Sequence, residues 1–74
     1  MAFTVEEVLG EVEGGPNYGN VEVREATATE VVTYLNAMIA EQEAGDGGDD
    51  SHPDVFDALL IFDFAYKKNL AAAS

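Results

Sequence analysis

The chain has 74 residues, 47% of them hydrophobic, with fifteen Asp and Glu against three Lys and Arg and a formal net charge of −12. That length allows one domain at most, and its core rarely supplies more than about 3–5 kcal/mol. The missing cysteines exclude disulfides and thiolate metal sites, and only Arg24, Lys67 and Lys68 could meet a phosphate backbone, which disfavours direct nucleic-acid binding and anionic membrane surfaces.

The first predicted element is a short helix. Thr4 and Glu7 have capping-box spacing, and Phe3 and Val8 hold the two positions of a hydrophobic staple. Val5, Val8, Leu9 and Val12 share one stripe, and Gly14, Gly15 and Pro16 end it. A competing reading is a strand over Phe3 to Val8, paired as a two-stranded ribbon with the alternating Val21-Glu22-Val23. That second segment also fits an extended connector or the first turn of the next helix. The intervening Gly14 to Asn20 is dense in turn formers.

A second helix is predicted from about Ala28 to Glu43, with Thr27 and Glu30 as a second capping box. Val31, Val32, Tyr34, Leu35, Met38 and Ile39 form its apolar face. Asn36, Ala40 and Glu43 fall on the other side, and Gly45 is the natural stop. Residues 44–51 read as a flexible acidic Gly/Asp loop.

A third helix is predicted from about Pro53 to Leu70, with Ser51 in the simple role of a cap. Lys67 and Lys68 stand near its end, where cations complement the dipole. Val55, Leu59, Phe62 and Tyr66 make one stripe, Phe56 and Leu60 continue it, and Phe64 lies further round. An apolar arc this wide needs cover on more than one side. Asp63 falls within it, one turn before Lys67, in the favoured acid-then-base order. The fold class expected is therefore mainly α: one small three-helix domain over 1–74, with at most a short N-terminal strand or ribbon.

Residues for chemistry are few. His52 is the single histidine, and Ser51 beside it makes no catalytic pair by adjacency. Asp46, Asp49, Asp50 and Asp54 suggest a calcium loop. However, counting from Asp46 puts Gly48 at the third position, Ser51 at the sixth where Gly is needed, and Asp57 at the twelfth where Glu is usual. Gly14, Gly15 and Gly19 lack the Lys and Ser/Thr of a phosphate cradle. Neither catalysis nor a cofactor, metal or small-molecule substrate is expected.

What remains is binding. The expected function is a non-enzymatic assembly subunit, docking through Phe56, Leu60, Asp63, Phe64 and Lys67 onto a larger protein or a second copy, a viral or phage virion component being one concrete form. The alternative is an inhibitor whose carboxylates copy nucleic-acid phosphates and occupy a basic groove of a host protein. The amino terminus lacks a basic start followed by an apolar run, and Ala58 to Phe62 is too short to span a bilayer. The expected location is therefore the cytoplasm of a cell or infected host, or a virion.

Overall fold

A computed structural model describes residues 2–13, 18–44 and 53–73. They form three helices: α1 (Val5–Val12), α2 (Val21–Ala44) and α3 (Val55–Ala73). The protein is an all-α domain.

The start of α1 follows the local code. The Thr4 hydroxyl accepts from the Glu7 amide at 3.1 Å, and the Glu7 carboxylate accepts from the Thr4 amide at 3.1 Å. Two of the helix's unpaired N–H groups are thereby satisfied. Val8 and Val12 are buried, and Phe3, Val5 and Leu9 pack against the same core. Thr4→Ala is expected to cost about 1 kcal/mol, read as a lower urea midpoint. An unchanged midpoint would mean that tertiary packing alone holds this short helix.

α2 begins seven residues before the sequence-based boundary at Ala28. Its cap is Asn20, whose Oδ1 accepts from the Val23 amide at 3.1 Å while its carbonyl accepts from Arg24 at 2.8 Å. Val21-Glu22-Val23 is the first turn of α2, so the ribbon near Phe3 does not form. Thr27 is no cap either. It lies within the helix, fully buried, and its hydroxyl accepts from Asn69 Nδ2 at 3.0 Å. Val23, Thr27, Val31, Leu35 and Ile39, each four residues apart, are all buried, so one continuous row runs along α2.

Asn36, placed by its spacing on the outer side of α2, is half-buried and faces the N-terminal segment. Its side chain is a clamp on the chain entering α1: Oδ1 accepts from the Phe3 amide at 2.8 Å and Nδ2 donates to the Phe3 carbonyl at 2.9 Å. One amide thus answers both polar groups of one peptide residue, as a neighbouring strand would.

α3 is capped by Asp54, which exchanges hydrogen bonds with Asp57 at 3.0 and 3.1 Å. The expected cap, Ser51, lies outside the described residues, as does all of the 44–51 loop except Ala44, the last residue of α2. Thr27 meets Asn69 near one end of the α2–α3 contact, and Tyr34 shares a groove with Ile61 further along. The two helices therefore run antiparallel.

Toward α1 and α2, α3 turns Ala58, Phe62, Ala65 and Tyr66. Two alanines among these let the helices approach closely, since interaxial distance depends on the side chains at the contact. The core stripe is thus rotated from the predicted one: Val55 is exposed and Leu59 only half-buried. Tyr18 seals this side. Its ring meets Phe62 and Tyr66 edge-on at 5.1 and 4.9 Å, and those two stack at 6.1 Å. Such edge-to-face pairs add to the area they bury.

Candidate interaction surface

At about 100° per residue, the direction opposite the α3 core stripe falls near Leu60. Phe56, Leu60 and Phe64 follow that outer line at spacings of four and are 71%, 71% and 73% exposed. Exposure of three large apolar groups in one row differs from the scattered single apolar residues that every surface carries.

The row borders a furrow. Glu30, Val31 and Tyr34 of α2 and Ile61, Phe64, Ala65 and Lys68 of α3 line a space of about 370 Å³. Tyr34, assigned from its spacing to the inner face of α2, is instead exposed and forms one wall. Residues at four-residue spacing lie one above another on a helix, so Glu30 and Tyr34 make one wall while Phe64 and Lys68 make the facing one. Opposite charges thus mark the furrow's edges, with aromatic and aliphatic groups between them. Of these lining residues, sequence reasoning had singled out only Phe64 for partner contact. The others required knowing that α2 and α3 are antiparallel neighbours.

Asp63 and Lys67 sit on α3 beside this row. Their charges pair at 3.0 Å, as the i, i+4 spacing predicts. Asp63 has a further role that the sequence did not disclose. Its Oδ1 accepts from the Tyr18 hydroxyl at 2.7 Å across 45 residues of chain. Around this bond the segment before α2 is tied down: the Asn20 amide donates to the Tyr66 hydroxyl at 3.0 Å, and Arg24 donates to the Tyr18 carbonyl at 3.2 Å. Asp63 is therefore first a tether between Tyr18 and α3, and its carboxylate is already shared between two donors.

That sharing is visible in acidity. The hydrogen bond from Tyr18, followed by that from Lys67, holds the Asp63 carboxyl below its usual 3.8. A carboxylate with a lowered folded-state pKa stabilises the fold above its unfolded value and loses that contribution as pH falls through the folded one. Tyr18 moves the other way: burial and then Asp63 push its phenol from 10.0 up to about 12. The folded chain keeps this proton more tightly, so that contribution is complete below 10 and fades as pH rises toward 12. Urea midpoints of wild type and Asp63→Asn should therefore converge as pH falls below about 4. A constant gap down to strong acid would show that the tether carries no proton-linked stability.

No gathering of His, Cys, Asp and Glu suited to a metal ion occurs among the described residues. Of the suggested calcium loop, Asp54 and Asp57 cap α3, while His52, Asp46, Asp49 and Asp50 lie outside the described residues. No described helix is long and apolar enough to cross a membrane. No protein-family model, curated protein or solved structure matches this chain.

Proposed function

We propose that the protein is a non-enzymatic interaction and assembly subunit that docks through the outward face of α3. The observation that carries this reading is the single row of Phe56, Leu60 and Phe64, each more than two-thirds exposed on a helix whose opposite face is fully packed. A buried stripe and an exposed stripe on one helix do different work. The first holds α3 to α1 and α2, and the second makes no contribution of that kind. Covering the second by a partner removes its apolar surface from water, at roughly 25 cal/mol per Å².

The docking surface consists of Phe56, Leu60 and Phe64, extended by Ile61 on α3 and by Tyr34 across the furrow, with Asp63 and Lys67 at its edge. Acidic residues occur on all three helices, and the conspicuous patch is apolar. That combination suits an assembly subunit better than a mimic of nucleic acid, which needs carboxylates in rows on one surface. The experiment is a pair of serine substitutions, at Leu60 and at Phe64, scored for folding and for association. Association lost with folding kept is the outcome expected. Folding lost would place these residues in the core and end the reading.

A further inference from the structure

Resting on that docking face, we infer that its occupant is a second copy of this chain, laid antiparallel so that Leu60 meets Leu60 on a two-fold axis. The symmetry of the exposed face makes the choice. Asp57 and Asp63 each stand three residues from Leu60, and Phe56 and Phe64 each stand four. On a helix these pairs fall at about 60° and about 40° to either side of the line through Leu60. The face therefore reads the same in both chain directions. A two-fold contact needs one patch that complements itself. Here the axis through Leu60 sets Phe56 of each copy opposite Phe64 of the other.

Charge permits this approach at α3 and opposes it elsewhere. α3 carries Asp57 and Asp63 against Lys67 and Lys68, a net charge of zero. α1 carries three Glu and no base, and α2 five Glu against Arg24. The acids near the row already have donors: Asp57 the Asp54 amide, Asp63 both Tyr18 and Lys67, and Glu30 the Asn69 amide. What this face leaves uncovered is chiefly apolar. Like charge on the rest of the surface then disfavours other ways for two copies to meet. The area is sufficient. At about 200 Å² for a large side chain, a row more than two-thirds exposed offers roughly 400 Å² per copy and roughly 800 Å² across the pair. The stems of Lys67 and Lys68 and the Tyr34 ring at the rim bring the contact to about 1,000 Å² or more, the low end for a specific pair. The dimer is therefore a reversible one.

The test joins sedimentation equilibrium to cysteine cross-linking. The wild type should dimerise, more tightly at about 0.5 M than at about 0.05 M sodium chloride, because salt screens the repulsion between two chains of charge −12. Leu60→Ser removes a side chain from both copies at once, so it should weaken the dimer about a hundredfold or more. The chain has no cysteine of its own, so single cysteines report the register. Leu60→Cys should form a disulfide dimer by itself. Phe56→Cys and Phe64→Cys should each cross-link poorly alone and readily when mixed. Two copies of either position lie about 12 Å apart along the pair, whereas bridged Cα atoms must lie within about 7 Å. The mixture keeps Leu60 in place, so its reading stands even if Leu60→Ser fails to fold. A wild type that stays monomeric at millimolar concentration would overturn the inference, as would a dimer indifferent to Leu60→Ser or a mixture no better linked than its parts. A photoreactive residue at position 60, irradiated in cells, then separates the two levels of the argument. Capture of a different protein by a monomeric chain would keep the docking face and remove the second copy from it. A monomer that captures nothing would overturn both.

Discussion

Phe62→Ala is expected to unfold the domain at room temperature. The Phe62 ring is fully buried, at the meeting of α3 with the Tyr18 and Tyr66 rings. Truncating a buried phenylalanine costs about 3–5 kcal/mol, through lost transfer energy and the cavity left behind. A core of this size supplies about the same amount in total. One of the two edge-to-face partners of Tyr18 would also go, leaving the Tyr66 ring and the bond to Asp63 to hold Tyr18 against α3. Circular dichroism should therefore show most helical signal lost and no cooperative melt. A variant that still melts cooperatively, only a few degrees lower, would mean that Phe62 is not the centre of the core.

Two residues either way along the same helix the expectation inverts. Leu60→Ser and Phe64→Ser remove side chains of similar kind to Phe62, yet both are more than two-thirds exposed. Surface substitutions away from special contacts change stability by about 0.5 kcal/mol or less. The melting temperature should thus stay within a few degrees of wild type. Association should suffer instead, by about 2 kcal/mol or more for each side chain if it anchors the interface, or roughly thirtyfold in the dissociation constant. Apolar content alone does not distinguish Phe62 from Phe64; only their direction on α3 does. A polar change at Phe64 that unfolded the chain would place that ring inside and leave the docking surface without its main anchor.

How much of this could be read beforehand varied from element to element. The Thr4–Glu7 capping box was legible because its partners are three residues apart and its chemistry is local. The two-sidedness of α3 was legible too, since an apolar arc wider than one contact can cover shows in the helical spacing. The start of α2 was missed because Val21-Glu22-Val23 alternates like a strand and Thr27 has the composition of a cap. A longer count would have corrected both, as Val23 and Thr27 continue the four-residue row of Val31, Leu35 and Ile39. Asn20, directly after Gly19, was the cap signal passed over. Tyr18–Asp63 and Asn36–Phe3 had no such signal. Their partners lie 45 and 33 residues apart in the chain, and only the packing of helices brings them together. Tyr34 shows the limit of periodicity: its position on α2 suggests burial, while the neighbouring α3 leaves its ring at the edge of the furrow.

The central claim is that the outward row of α3 is a contact surface, and position-specific cross-linking in the native cellular environment tests it most directly. A photoreactive amino acid would be placed at Leu60 in one protein and at Glu11 of α1 in another, and each irradiated under identical conditions. The account predicts a discrete adduct of defined mass from position 60 and none from position 11, with the adduct reduced when Phe64→Ser is added to the same chain. No adduct from position 60, or the same adducts from both positions, would contradict it.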